Sequence, residues 1–206
     1  MDNKNPNGMS SAANNDSVKE MMLSHLTEKY DVEFICESFA GKALLSSTYN
    51  MVAYPQNGDN TDSFSASYDP GTEKISDGYY GVIVRSEIGQ TLSAAVSPIL
   101  GEHKLFIRMN STFFQDDLTR GVSAKEAVSH GQDMSLTVSI FAVNKTEVFN
   151  FLKSKLQELN YSGIVQYYSL NDSSALEATN NKSFPGTIAS IQSGKVSVGF
   201  KASESF

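Results

Sequence analysis

One loop of the sequence, His130-Gly-Gln-Asp133, holds side chains that could do acid–base chemistry. An imidazole beside a carboxylate can take up and return a proton near neutral pH. A small hydrolase would also need a nucleophile. The sequence has no Gly-x-Ser-x-Gly elbow, so folding would have to bring a serine close. His130 and Asp133 are therefore the catalytic candidates, with an ordinary surface loop as the alternative interpretation.

A second group of residues offers carboxylate oxygens as metal ligands. It consists of Asp59 and Asp62, in an Asn- and Gly-containing turn, and of Asp69 further along the chain. Calcium accepts such ligands, but the spacing does not fit an EF-hand loop, and acidic turns are commonly just solvated. These aspartates are candidates for a calcium site. We expect no other cofactor, because neither a P-loop nor a Gly-x-Gly-x-x-Gly turn occurs.

The charge of the chain argues against nucleic acid as a partner. Sixteen Lys and Arg stand against 23 Asp and Glu, a net charge of −7, and no basic cluster occurs that would bind a phosphate backbone. The single cysteine, Cys36, excludes an intrachain disulfide and a cysteine cluster for zinc, and its alternating surroundings predict a structural thiol. No apolar run approaches the ~18 residues of a membrane-spanning helix, so we expect no membrane span.

Apolar periodicity predicts three long helices. The first covers about 18–30 and is preceded by a capping box in which Ser17 pairs with Glu20. The second covers about 78–97, with Asp77 as its cap and Pro98 as its stop. Local propensity favours a strand at its start, but the helical spacing continues through the whole segment. The third helix covers about 146–160.

Alternating segments between these helices predict a mostly antiparallel sheet or sheets. Strands are expected at about 32–39, 44–54, 62–68, 103–110, 134–143 and 164–170, followed by a C-terminal hairpin over 183–200. A second capping box, from Ser123 to Glu126, predicts a short helix between two of them. Strand meanders at both ends make α+β the natural fold class. We expect one domain over 17–206.

The first sixteen residues are rich in Asn and Ser, contain Pro6 and Gly8, and show no apolar periodicity. This composition is typical of a disordered polar tether. Two interpretations remain open. Either Met1 is the native start and the protein is cytoplasmic, or a signal segment and a lipidated cysteine lie upstream, as in bacterial surface lipoproteins. We expect the second.

Two patterns, Leu23-x-x-Leu26-x-x-Lys29-Tyr30-x-x-x-Phe34 and Asp77-x-Tyr79-Tyr80, carry a resemblance to known proteins. With the strand entry at 101–104, they resemble a group of uncharacterised secreted or lipid-anchored proteins of Gram-positive bacteria. That group has no assigned catalytic residues, so the resemblance implies location rather than chemistry. It implies an extracytoplasmic protein anchored at the cell surface.

The function expected from these observations is that of an extracytoplasmic binding or interaction domain without enzymatic activity. Its partner would be a protein or a small ligand, not nucleic acid. Two alternatives remain: a small hydrolase that uses His130 and Asp133, and a surface domain stabilised by calcium.

Overall fold

The structure is a computed structural model that describes residues 7–41, 47–58, 60–143, 149–192 and 198–205. The chain folds into two compact units. Unit 1 comprises residues 1–80 and 112–120, and unit 2 comprises residues 81–111 and 121–206. Each unit contains one four-stranded sheet, and the fold class is α+β with mostly antiparallel pairing, as predicted.

Unit 1 is an antiparallel sheet preceded by one long helix. Its strands follow one another in space in chain order, and a register shift between Cys36 and Ser38 marks a bulge in the first strand. Met22, Leu26 and Tyr30 are buried at the predicted spacing and form the core-facing stripe of the helix. The elements are α1 (Asn7–Tyr30), β1 (Phe34–Ala40), β2 (Tyr49–Pro55), a 3-10 turn (Asn60–Asp62), β3 (Phe64–Asp69) and β4 (Lys74–Asp77).

Unit 2 contains the second sheet, with the strand order β5-β6-β7-β8. Strands β6 and β7 are parallel and are connected through α4, and the other two pairs are antiparallel. The first two residues of α2 belong to unit 1, and the rest of that helix belongs to unit 2. The elements are α2 (Tyr79–Leu100), β5 (His103–Met109), α3 (Ala124–Ser129), β6 (Ser135–Ala142), α4 (Phe149–Glu158), β7 (Ser162–Leu170), α5 (Ser173–Ala178), α6 (Phe184–Gln192) and β8 (Val198–Ser205).

The helix predicted over 18–30 begins earlier, at Asn7. The capping box at Ser17 therefore lies inside a helix, and residues 7–16 of the predicted tether are helical. A helix that is already nucleated extends at little cost through residues of moderate propensity, and no Gly or Pro interrupts the chain between Gly8 and Tyr30.

The helix predicted over 78–97 is present, which confirms that the helical spacing of its apolar residues outweighs the strand propensity at its start. It passes through Pro98, the predicted stop, and ends at Leu100. Leu100 is buried, so its packing keeps the last turn helical although Pro98 donates no hydrogen bond. Gly101, with φ +65°, then closes the helix in the left-handed conformation typical of a C-terminal cap. The third predicted helix corresponds to α4, and the first residues of the predicted range, 146–148, lie outside the described residues.

The predicted C-terminal hairpin over 183–200 is wrong. Helix α6 occupies 184–192, and the single strand β8 pairs with β7. Phe184 and Ile188, four residues apart, pack against a buried cluster that includes Phe106, so helical burial outweighs the strand pattern. Residues 193–197 of the predicted hairpin lie outside the described residues. Strand β4 was not predicted because its four residues are too few to show a period.

No helix in the described part of the chain combines the length and the apolar character needed to cross a bilayer.

Gly163, at the start of β7, makes the closest backbone approach in unit 2. Its φ is +137°, and a Cβ there would overlap the backbone carbonyl oxygen of Leu136 on the paired strand β6. We expect Gly163→Ala to lower the free energy of unfolding by roughly 3 kcal/mol or more, since either the backbone or the strand pairing must shift. Urea denaturation followed by circular dichroism measures the change.

Gly121→Ala is the matched control for this substitution. A Cβ at Gly121 meets nothing within 4 Å, and its φ is not positive. Its free energy of unfolding should change by less than about 1 kcal/mol. Equal stability of the two variants would contradict the close strand approach at Gly163.

Candidate functional site

The two patterns singled out in the sequence meet at one buried carboxylate in unit 1. Asp77 ends β4 and is 1% exposed. One carboxylate oxygen accepts from the Lys29 ammonium at 2.8 Å, and the other accepts from the Tyr30 hydroxyl at 2.8 Å. These donors lie at the end of α1, far away in sequence. We call Asp77, Lys29, Tyr30 and Tyr79 the Asp77 cluster.

Asp77 also fixes the start of α2, as predicted from its capping pattern. The carboxylate oxygen that accepts a hydrogen bond from the Tyr30 hydroxyl also accepts one from the backbone N–H of Tyr79, at 3.0 Å. The backbone carbonyl of Asp77 accepts the N–H of Phe114 at 3.1 Å. A Cβ on Gly78 would lie 2.6 Å from the carbonyl oxygen of Thr112, so a residue without a side chain is needed there. One Asp-Gly pair thus joins three stretches of unit 1.

The environment of the cluster keeps Tyr30 protonated. Burial, followed by the negative charge of Asp77 and the hydrogen bond to it, raises the pKa of the Tyr30 hydroxyl far above its ordinary value. Tyr30 therefore remains a donor to the carboxylate. The Lys29 ammonium lies 4.9 Å from the centre of the Tyr30 ring, which adds a cation–π contact.

Tyr79 is held by aromatic packing on the ring and by Asp77 on the backbone. Its ring meets the rings of Tyr30 and Phe34 edge-on, with centroids 4.9 and 4.7 Å apart. It lies tilted against Phe64 at 5.1 Å. Only 7% of the residue is exposed, and within the part of the chain that the structure describes its hydroxyl makes no hydrogen bond.

Tyr79 lines a cavity of about 570 Å³ in unit 1, which we call the unit 1 cavity. Its walls come from the connection between α1 and β1, the turn 55–58 after β2, and two single residues, Asp62 and Arg120. The backbone N–H of Gln56 bonds to the carbonyl of Glu33 at 2.8 Å and ties two of these walls together. The turn 55–58 is thus part of a candidate site.

The charges around this cavity are of both signs. Asp31, Glu33 and Asp62 supply carboxylates, and Arg120 supplies a guanidinium group. Burial is the main cause that raises the pKa of Tyr79, while the positive charge of Arg120 lowers it and the negative charge of Asp62 raises it. The Tyr79 hydroxyl therefore lies within the electrostatic field of both charged groups.

The predicted catalytic residues lie elsewhere, in unit 2. His130 is the C-cap of α3, and its side chain and that of Asp133 are both exposed. Asp133 accepts from the Ser162 hydroxyl at 3.4 Å. No hydrogen bond joins His130 to Asp133 among the residues that the structure describes. The structure therefore does not bring the two candidates together, and the hydrolase alternative stays a prediction.

The helix before this loop starts as the sequence indicates. The Ser123 hydroxyl accepts the backbone N–H of Glu126, and the Glu126 carboxylate accepts from the backbone N–H of Ser123. Hydrogen bonds from the backbone and hydroxyl of Ser123 lower the pKa of the Glu126 carboxyl. The second capping box is confirmed.

The three calcium candidates do not form one described group. Asp62 lines the unit 1 cavity, Asp69 accepts the backbone N–H of Gly71 at 2.8 Å in a turn, and Asp59 lies outside the described residues. Over the described ranges, no cluster of three or more His, Cys, Asp or Glu side chains is suited to a metal ion. Calcium binding stays a prediction.

In comparisons with known proteins, no family model, no curated protein and no solved structure matches this chain. The candidate site is therefore defined by its own geometry. Sequence reasoning placed Tyr79 at a helix start and did not single out Arg120. The sequence signal that could have pointed to Arg120 is that the chain contains only three arginines.

We expect Asp77→Asn to lower the free energy of unfolding by about 3 kcal/mol. Lys29 is only 9% exposed at its side chain, so the substitution leaves a buried ammonium without its carboxylate. Urea denaturation measures the loss. Asp69→Asn, which changes an exposed turn contact, should cost less than ~1 kcal/mol. Equal losses would contradict the role of Asp77.

We expect Arg120→Gln to raise the pKa of Tyr79, because the positive charge that favours the phenolate is removed. A pH titration of tyrosine ¹³Cζ shifts by NMR measures it. The same substitution at Lys19, whose partner is the exposed Asp16, is the control and should leave the pKa of Tyr79 unchanged. An unchanged or lower pKa in Arg120→Gln would contradict the placement of the guanidinium group.

The raised pKa of Tyr79 also sets the sign of a stability effect. The folded protein binds the hydroxyl proton of Tyr79 more tightly than the unfolded chain does. Protonated Tyr79 therefore contributes fully to stability below the ordinary tyrosine pKa of about 10. The contribution is lost as the pH rises through the folded-state pKa.

Proposed function

We propose that this protein is a non-enzymatic binding module that acts outside the cytoplasmic membrane, and that its unit 1 cavity binds a small zwitterionic molecule. Such a ligand carries both an ammonium and a carboxylate group, as amino acids and short peptides do. The observation that carries the proposal is Tyr79, a nine-tenths buried phenol whose hydroxyl makes no hydrogen bond to the described residues at a cavity of mixed charge.

The Tyr79 ring is packed, but its hydroxyl is not a buried polar atom without a partner, because it reaches the cavity, where water or a ligand can bond to it. Phenylalanine would pack equally well among the rings of Tyr30, Phe34 and Phe64. The hydroxyl is therefore not needed for packing, and a ligand in the cavity can take the place of water as its hydrogen-bond partner. The Asp77 cluster holds the residue in place before any ligand arrives, which reduces the entropy lost on binding.

The chemistry of the cavity favours a ligand with two opposite charges. A guanidinium group binds carboxylates through two parallel hydrogen bonds, and Arg120 has no ion pair among the described residues. Asp31 and Glu33, which also line the cavity, carry carboxylates suited to an ammonium group. A volume of about 570 Å³ is in the range of small-molecule sites.

Location outside the membrane rests on the resemblance of the segment 23–34 to secreted and lipid-anchored proteins. A lipid anchor upstream would hold the module at the cell surface. Treating intact native cells with a protease tests this part of the proposal: we expect the protein to be cleaved. Protection until the cells are lysed would contradict it.

The ligand class is tested with zwitterions of increasing charge separation: glycine, β-alanine, 6-aminohexanoate and glycylglycine. We expect at least one of them to bind saturably in an NMR titration, with shifts at the residues of the unit 1 cavity. Analogues that lack one charge, N-acetylglycine and glycinamide, should bind about tenfold more weakly than the best zwitterion. The absence of saturable binding by all four zwitterions would contradict the proposal.

Tyr79→Phe separates binding from stability. We expect it to weaken binding of the best zwitterion by roughly 2- to 10-fold, the usual worth of one hydrogen bond, while the free energy of unfolding changes by less than about 1 kcal/mol. Tyr30→Phe is the matched control, because it removes a satisfied hydroxyl and should lower the free energy of unfolding by about 1–3 kcal/mol. Equal ligand affinity of Tyr79→Phe and the wild type would contradict the role of the Tyr79 hydroxyl.

A further inference from the structure

Strand β6, in the sheet of unit 2, is buried on both of its faces. Seven consecutive residues of β6, Leu136–Ala142, are buried, so side chains that point to either face are removed from water. One face carries Leu136, Val138 and Ile140, and the other carries Thr137, Ser139 and Phe141. Two hydroxyls on a buried strand need an explanation that packing alone does not give.

The face with the hydroxyls changes character along its length. At one end Phe141, Tyr168 and Leu170 form a buried cluster against α5 and α6. Towards the other end the strand register places Arg108 beside Thr137, and Ser139 between Phe106 and Gln166. An apolar region therefore adjoins a row of polar side chains contributed by three neighbouring strands.

A cavity of about 350 Å³ lies at this boundary, and we call it the unit 2 cavity. Helix α6 supplies its apolar wall through Phe184, Pro185 and Ile188. The ring of Phe184 stacks on that of Phe106 from the sheet, with centroids 4.7 Å apart and planes 5° from parallel. This stacking joins the helix to the sheet and gives the wall a fixed shape.

The polar wall is held in place by its own hydrogen bonds. The Ser139 hydroxyl donates to the side-chain oxygen of Gln166 at 3.1 Å, and the Thr137 hydroxyl donates to the side-chain oxygen of Asn110 at 3.0 Å. The Gln166 amide nitrogen makes no hydrogen bond to the described residues, so its donors remain available. Such an oriented set of donors discriminates between ligands by geometry.

Arg108 gives the unit 2 cavity its charge. It is the one residue with a formal charge among the described residues that line the cavity, and its side chain makes no ion pair or hydrogen bond within the described part of the chain. The local charge is thus positive in a chain whose net charge is −7. A guanidinium fork beside amide donors is suited to a carboxylate.

We propose that the unit 2 cavity is a second binding site, specific for a small monocarboxylic acid with an apolar body. Arg108 and the Gln166 amide bind the carboxylate, and the apolar body lies against Phe184 and Ile188. A single arginine fits one carboxylate, whereas a nucleotide or a polyanion would need further cations. This ligand differs from the zwitterion of the unit 1 cavity, because no carboxylate side chain lines the described part of the unit 2 cavity to bind an ammonium group.

The experiment uses the full chain and two acids, benzoate and hexanoate, with their uncharged counterparts benzamide and hexanamide. We expect at least one acid to bind saturably in an NMR titration, with shifts at residues of β5, β6 and α6. Its amide should bind about tenfold more weakly. The proposal would be overturned if neither acid bound saturably, or if an acid and its amide bound equally well.

Three variants localise the bound acid. Arg108→Gln should weaken binding of the acid about tenfold, and Arg108→Lys should weaken it less because the positive charge is kept. Lys125→Gln removes an exposed charge from α3 and should bind the acid as the wild type does. Arg108 is exposed, so these variants are expected to fold, which circular dichroism checks. Unchanged affinity in Arg108→Gln would overturn the proposal.

Tyr79→Phe distinguishes this site from the unit 1 cavity. If the acid binds in unit 2, its affinity for Tyr79→Phe equals that for the wild type. A loss of acid binding in Tyr79→Phe would place the acid in the unit 1 cavity and overturn the proposal. Failure of the zwitterion titration leaves this result unaffected, because the two experiments use different ligands and different variants.

Discussion

The carboxylate of Asp77 is the interaction on which unit 1 depends. It is buried, and it accepts hydrogen bonds from the end of α1 and from the start of α2, while its backbone carbonyl binds the segment 112–120. A buried carboxylate lowers the stability of the fold unless both of its oxygens accept hydrogen bonds. Removing one partner leaves a buried polar group unpaired, which destabilises the fold. The same contacts fix the backbone of Tyr79, so the fold and the candidate site share one constraint.

A common design links the two proposed sites. In each unit a packed aromatic residue borders the cavity, Tyr79 in unit 1 and Phe184 in unit 2, and an arginine without a partner among the described residues supplies the charge. Two of the three arginines of the chain are used in this way. The cavities differ in the remaining charges, since carboxylates line only the described part of the first one. This difference is the physical basis for assigning them different ligands.

The sequence predicted the features that depend on local periodicity and capping. Helix α2 follows from the spacing of its apolar residues despite its strand propensity, and α3 follows from the capping box at Ser123. What it could not predict depends on contacts between distant segments. The role of Asp77 as a cap is local, whereas its bonds to Lys29 and Tyr30 join residues nearly fifty positions apart. Helix α6 is decided by packing on Phe106, and for that reason the predicted hairpin was wrong.

The central claim is that the Lys29–Asp77 pair acts as one buried unit, and a double-mutant cycle between Lys29→Met and Asp77→Asn tests it most directly. Each single variant leaves one buried polar group without its partner, whereas the double variant removes both charges. We expect the double variant to lose less free energy of unfolding than the sum of the single losses, with a coupling of roughly 2 kcal/mol. Additive losses would contradict it.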